Sequence, residues 1–116
     1  MDVFKINLGL SILTLCFISQ AKATETGLIK TLTMSGINDP NHKNVVQIDF
    51  GAEIMNTPGC NKQFAAIRSG PENNHLISLA LAASMAGKPI TIELNSSDIY
   101  FSSGNRCTIS RLAVSN

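Results

Sequence analysis

The side chains that could do chemistry in this sequence are few and widely separated. The histidines are His42, in a stretch rich in turn-forming residues, and His75, near the start of a helical pattern. No GxSxG, HExxH or P-loop motif and no pair of carboxylates at a catalytic spacing is present, so we expect no enzymatic activity and no cofactor. Asp39 and His42 could share a metal ion, but a pair of ligands in one loop is weak grounds for a site. We expect that loop to be solvated and His75 to lie on the surface.

Cys60 and Cys107 are expected to form a disulfide. They remain after removal of the predicted leader, which contains Cys16, and a pair of cysteines in an exported chain is normally bonded. The bridge would close the long loop between them, for which the chain-entropy model gives roughly 4 kcal/mol of stabilisation. A metal pair or a nucleophilic thiol is the alternative, which the lack of a CxxC motif and of a nearby histidine disfavours.

Residues 1–23 have the pattern of a cleaved secretory signal. An apolar run at 6–18 is followed by the small-x-small sequence Ala-Lys-Ala at 21–23. The run is shorter than the roughly 20 residues of a membrane span, so no membrane insertion is expected. A lipid anchor on Cys16 or an uncleaved anchor is the alternative. We expect a secreted or periplasmic bacterial protein whose remaining part, 24–116, is a single domain.

The charges of the chain are nearly balanced. Nine Lys and Arg residues face eight Asp and Glu residues, for a formal net charge of +1. No basic stripe argues for nucleic acid or for an anionic membrane surface. A neutral ligand or a protein surface is therefore the expected partner.

The sequence predicts three strands in the first part of the domain, at 27–34, 45–51 and 63–68, which must position the candidate side chains. In the second strand Val46, Ile48 and Phe50 share one parity, as in a half-buried strand. The stretch at 35–44, between the first two strands, is dense in turn formers and is predicted to be a loop.

A capping box formed by Ser69 and Glu72 predicts a helix over 72–86, which Gly87 ends. Alternation over 90–94 predicts the fourth strand. We expect 95–105 to be a loop and 106–115 to be the fifth strand. In that strand the apolar residues change parity, so a bulge near 110–111 is expected to return both apolar pairs to the core.

The predicted order is strand, strand, strand, helix, strand, strand. This is the order of the OB-fold, a small, partly open Greek-key barrel of five strands. A flat sheet with the helix packed on one face is the alternative. The sequence thus predicts a mainly β, OB-fold-like domain with one helix.

The segment Leu79–Ala86, the following Gly-Lys-Pro-Ile-Thr-Ile at 87–92, and Cys107 with its apolar strand resemble a known group. They are similar to the receptor-binding B subunits of the subtilase cytotoxin and typhoid toxin group of bacterial AB toxins. The resemblance covers the C-terminal half, whereas the N-terminal half matches in strand order alone. It implies OB-folds that assemble into ring-shaped homopentamers and bind sialylated glycans on host cells.

The chain departs from this group in its aromatic residues. Those subunits are rich in Trp and Tyr, whereas this sequence contains no Trp and one Tyr. No stretch matches their sugar-binding serine motif, so no glycan-binding residue is transferred from them. The resemblance therefore predicts the fold more strongly than it predicts the ligand.

The strongest binding candidates lie on the loops that flank the ligand face of an OB-fold. Tyr100 offers a flat ring and a hydroxyl, which suit a sugar or a protein partner. The alternative is that Tyr100 or Phe101 folds back to cap the barrel. The predicted ligand-binding residues are Asp98, Tyr100 and Phe101 from one loop and Asn38, Asp39 and His42 from the other.

The helix at 72–86 is apolar on more than one side, with Leu81, Met85 and several alanines. One side can pack on the sheet, and we expect the other to meet a second copy in a homo-oligomer. Coverage by the domain's own loops is the alternative. The predicted function is an exported, glycan-binding module. The alternative function is a monomeric periplasmic protein of structural or inhibitory role that binds another protein.

Overall fold

The computed structural model describes residues 24–101 and 104–115, with the side chain of Phe101 outside the described part. The predicted leader at 1–23 also lies outside it. Within the described residues the chain forms six strands and one α-helix. Their bounds are β1 (Glu25–Gly27), β2 (Thr31–Met34), β3 (Val45–Asp49), β4 (Phe64–Arg68), α1 (Asn74–Ala86), β5 (Ile90–Phe101) and β6 (Arg106–Val114).

The strands form one mixed sheet in the order β1-β5-β6-β4-β3-β2. Neighbouring strands are antiparallel except β4 and β6, which run parallel with Ala66 beside Thr108. The edge strands β1 and β2 are consecutive in the chain, and positions 28–30 alone separate them. The prediction of a mainly β domain with one helix is confirmed. The described sheet differs from the predicted five-stranded barrel because it has six strands and is not closed by strand pairing.

The sixth strand arises because the predicted strand at 27–34 changes partner halfway. Gly27 pairs with Ile90 of β5, whereas Thr31 pairs with Asp49 of β3. A Cβ at Gly27 would lie 2.3 Å from Cδ1 of Ile54, so glycine lets that side chain pack directly over β1. The two pairings cannot continue through one straight strand, and the chain bends at 28–30.

Strand β5 is longer than predicted and corrects the expected loop at 95–105. Asn95 pairs with Thr108 and Ile99 with Cys107, with a register shift between the two pairs. The turn-forming residues at 96–98 are accommodated as a bulge within the ladder. Asp98, Tyr100 and Phe101 therefore lie on a bulged strand and not on a loop.

The predicted capping box is not formed. A 3₁₀ turn at Pro71–Asn73 precedes α1, and no side chain caps the helix. Instead the Ser69 hydroxyl donates a hydrogen bond to the carbonyl of Asn44. The Ser69 hydroxyl is thus bonded to the loop at 35–44 and does not cap the helix.

The end of α1 is as predicted. Gly87 takes a left-handed conformation with φ of 66°. Its N–H donates to the carbonyl of Ser84 at 3.3 Å, and the N–H of Lys88 donates to that of Ala83 at 3.0 Å. This pair of bonds is a Schellman motif, which satisfies carbonyls at the end of the helix.

The core lies between α1 and the inner face of the sheet. The helix contributes Ala80 and Ala83, both buried. Burying one aliphatic side chain contributes about 1.5–3 kcal/mol, so the isoleucines of the sheet dominate the packing. The largest fully buried side chains are Ile48, Met55, Ile67, Ile90 and Ile92.

Two covalent and backbone features of β6 were predicted correctly. Cys60 and Cys107 form a disulfide with a Cα–Cα distance of 5.5 Å. Glu93 and Leu94 pair with Arg111 and Ile109, so Ser110 is the extra residue of a bulge. The bulge places apolar residues on both sides of it toward the core.

Candidate functional site

The face of the sheet opposite α1 carries mostly polar side chains, together with the buried Val45 and Ala66. Side chains alternate across a strand, so residues next to the buried isoleucines point away from the core. The β-pairings place Thr33 beside Gln47 and Thr31 beside Asp49 on this face. We define the polar face by Thr31, Thr33, Gln47, Asp49, Phe64, Arg68, Arg106 and Thr108.

A groove of about 360 Å³ lies on this face. Strands β2, β3, β4 and β6 form its floor, and the loop at 35–44 forms one wall. We call it the polar groove. Its lining residues are Thr31, Thr33, Ser35, Asp39, His42, Gln47, Asp49, Phe64 and Arg106.

The wall of the groove is shaped by Asp39. Its Oδ1 accepts hydrogen bonds from the backbone N–H of Asn41 at 3.0 Å and of His42 at 2.9 Å. These bonds lower the pKa of Asp39 below its usual range, so the carboxylate is ionised at neutral pH. The His42 ring is close by, with Nδ1 at 3.7 Å from Oδ1 of Asp39.

The floor of the groove is also held in place before any ligand arrives. Asp49 accepts hydrogen bonds from Nε2 of Gln63 at 3.0 Å and from the N–H of Gly51 at 2.7 Å. The first of these is the main cause of the lowered pKa of Asp49. Arg106 donates to Oε1 of Gln47, and its guanidinium lies 4.3 Å from the centre of the Phe64 ring.

A second set of contacts lies beside the groove, and we call it the Arg68 cluster: Arg68, Asp98, Tyr100 and Thr108. Nε and Nη2 of Arg68 donate to the two Asp98 oxygens at 2.8 and 2.5 Å. The Thr108 hydroxyl donates to the same carboxylate at 2.9 Å. The Arg68 guanidinium lies 4.9 Å from the centre of the Tyr100 ring. The Asp98 bond is the main cause of the raised pKa of Arg68.

The predicted site residues are partly brought together. Asp39 and His42 line the groove, and Asp98 and Tyr100 belong to the Arg68 cluster. The two groups meet where the Tyr100 hydroxyl donates to the carbonyl of Lys43 at 3.2 Å. Asn38 is exposed in the same loop and does not line the groove. Phe101 is described in its backbone alone.

Sequence reasoning missed much of the groove floor. In the sequence, Gln47 and Asp49 of β3 have the parity opposite to that of the apolar residues Val46 and Ile48, which indicates that they point away from the core. Phe64 and Arg106 come from distant parts of the chain, and the parallel pairing of β4 with β6 brings their strands together. No local pattern in the sequence encodes that pairing.

Within 24–101 and 104–115, no group of three or more His, Cys, Asp or Glu side chains could hold a metal ion. No helix of this described part is long and apolar enough to cross a membrane. No protein-family model, characterised protein or solved structure matches the chain significantly. The likeness to toxin B subunits therefore stays a prediction.

Proposed function

We propose that this chain is an exported binding module whose polar groove takes a neutral, polyhydroxylated ligand such as a glycan. The observation that carries the proposal is the groove itself, about 360 Å³ in volume and lined almost throughout by hydrogen-bonding side chains. Sugar hydroxyls both donate and accept hydrogen bonds, so they match carboxylates, hydroxyls and amides together. The bonds that fix Asp39 and Asp49 reduce the cost of ordering the site on binding.

The charges of the groove favour an uncharged sugar. Its lining carries the ionised carboxylates of Asp39 and Asp49 and the guanidinium of Arg106. Arg106 donates to Gln47 and lies over the Phe64 ring, so its guanidinium is engaged within the floor, and the two carboxylates outnumber it. A carboxylate on the ligand would be repelled by the aspartates. The proposed ligand thus differs from the sialylated glycans that the resemblance implies.

We also propose that the fold is OB-like, with β1 and β2 as the two halves of one bent strand. Three observations support this: the edge strands are consecutive, β4 and β6 are parallel, and α1 lies between β4 and β5. Counting β1 and β2 as one strand restores the order of five strands that the OB-fold has. The disulfide is consistent with export and with a cleaved leader at 1–23.

The exposed side of α1 supports a protein contact as a second function. Met85 is 81% exposed and Leu81 43% exposed on this helix. We propose that a second copy of the chain covers them, and the toxin resemblance also implies an oligomer. The alternative, a monomer of structural or inhibitory role that binds a different protein there, is an outcome of the test given in the Discussion.

A glycan array tests the groove. We expect the wild-type protein to bind neutral glycans and Thr33→Val to weaken those signals about tenfold, because a lining hydroxyl is replaced by a methyl group of similar size. Thr26→Val is the matched control, since it removes a hydroxyl on β1, outside the groove lining. Binding restricted to anionic glycans, or no glycan binding at all, would contradict the proposal.

A further inference from the structure

The loop at 35–44 forms a wall of the groove, and its base has a defined shape of its own. The N–H of Ser35 donates to the carbonyl of Val45 at 2.8 Å, and the N–H of Asn44 donates to that of Gly36 at 3.2 Å. The Asp39 carboxylate organises the backbone of the loop further out. The Ser35 bond joins the start of the loop to β3, and the Asp39 bonds shape its middle, so the C-terminal end of the loop depends on other contacts.

Contacts from other elements reach the C-terminal end of this loop. The Tyr100 hydroxyl of β5 donates to the carbonyl of Lys43 at 3.2 Å, and the Ser69 hydroxyl donates to that of Asn44. Lys43 directly follows His42, a lining residue of the groove. A displacement of the Lys43 carbonyl therefore moves the His42 side chain relative to the floor.

Tyr100 is itself held by the sheet. Its ring lies under the guanidinium of Arg68, which is paired through two hydrogen bonds with Asp98. Asp98 in turn accepts a bond from Thr108, which is 5% exposed in the sheet. A continuous set of contacts thus runs from the buried Thr108 of β6 to the carbonyl of Lys43 in the loop.

We infer that Tyr100 is a positioning residue that fastens the loop at 35–44 and so holds Asp39 and His42 in the polar groove. This inference rests on the proposed function of the groove. In this role Tyr100 acts through the loop and makes no contact with the ligand. Such a residue raises affinity because it increases the fraction of molecules whose groove is ready to bind.

The sharpest test is Tyr100→Phe, which removes the hydroxyl and keeps the ring that contacts Arg68. Loss of one hydrogen bond should shift the loop equilibrium about two- to tenfold. We expect the backbone amides of Asn41 and His42 to exchange with solvent faster by that factor, and those of β3 to be unchanged. Thr26→Val, which removes the hydroxyl bonded to Thr91 at 2.9 Å, should leave the loop amides unchanged.

Binding kinetics separate positioning from direct contact. With lactose as the probe, an NMR titration of Tyr100→Phe should show an on-rate reduced in proportion to the fastened fraction, by about tenfold at most, and an unchanged off-rate, since only the fastened loop binds. A raised off-rate with unchanged loop exchange would overturn the inference in favour of a ligand contact.

The experiments distinguish a failure of this inference from a failure of the proposed function. Unchanged exchange at Asn41 and His42 in Tyr100→Phe overturns the positioning role, whatever the protein binds. Faster exchange in the variant, together with no glycan binding by the wild-type protein on the array, supports the fastened loop and overturns the glycan function.

Discussion

Asp98 ties three strands of the sheet together on the polar face. It lies on β5 and accepts hydrogen bonds from Arg68 on β4 and Thr108 on β6. The bond from Arg68 is the main cause that lowers the pKa of Asp98 below its usual value of 3.8. A carboxyl of this kind stabilises the fold fully above the unfolded-chain pKa, and the contribution is lost as the pH falls through the folded-state pKa.

Asp98→Asn should therefore destabilise the protein in a pH-dependent way. We expect a loss of about 1 kcal/mol or less in the free energy of unfolding at neutral pH, because the pair is partly exposed and screened by solvent. The difference from the wild-type protein should shrink below pH 3.8, where the carboxyl of the unfolded chain is protonated. Urea unfolding across this range measures it, with the exposed Glu53→Gln as the control. A difference that does not vary with pH would contradict the assignment.

Among the elements, α1 has an unusual distribution of apolar residues. Ala80 and Ala83 meet the core, whereas Leu81 and Met85 face outward. Small residues on the inner side let the helix approach the sheet closely, and large ones on the outer side remain in water. Exposed apolar side chains on one side of a helix commonly mark a contact with another protein.

Met85→Lys tests that contact. We expect the wild-type protein to be an oligomer by light scattering. In the variant the dissociation constant of the oligomer should rise at least about tenfold, because a buried charge would be left unpaired at the interface. Ile37→Lys, at a residue 62% exposed in the loop at 35–44, is the matched control and should leave the oligomer intact. A wild-type protein that is monomeric at high concentration would favour the alternative, a monomer with a different partner.

Elements whose signals are local could be predicted from the sequence. The end of α1 at Gly87 and the bulge at Ser110 follow from one residue type and from one change of parity. The extension of β5 beyond Leu94 could not, since the residues at 95–98 favour turns and their pairing with β6 overrides that preference. The groove floor could not be predicted for a similar reason, because it depends on the register between strands that are distant in sequence.

For the whole molecule, the Cys60–Cys107 disulfide joins the segment before β4 to the start of β6 across 47 positions. In a domain with a small core, a crosslink of this length matters, since the chain-entropy model gives about 4 kcal/mol. Asn61 strengthens the same junction, with its N–H donating to the carbonyl of Asn105 at 2.7 Å and Nδ2 donating to that of Gly104 at 2.8 Å.

Reduction of this disulfide should lower the thermal midpoint substantially, in keeping with a loss of about 4 kcal/mol in the free energy of unfolding. Calorimetry with and without a dithiol reductant measures the change. The double variant Cys60→Ala, Cys107→Ala should melt near the reduced protein and not respond to the reductant. Free thiols in the purified wild-type protein, or an unchanged midpoint on reduction, would contradict the assigned role.

The short link at 28–30 holds in place a segment that protects a strand edge. Glu25–Gly27 pairs with Ile90–Ile92 and covers the outer edge of β5. An uncovered strand edge is a template on which another chain can add, and apolar residues beside it make such addition more favourable. Cleavage of the chain at this link would leave the covering segment attached to β5 by non-covalent contacts alone, and its loss would open that edge to addition of another chain.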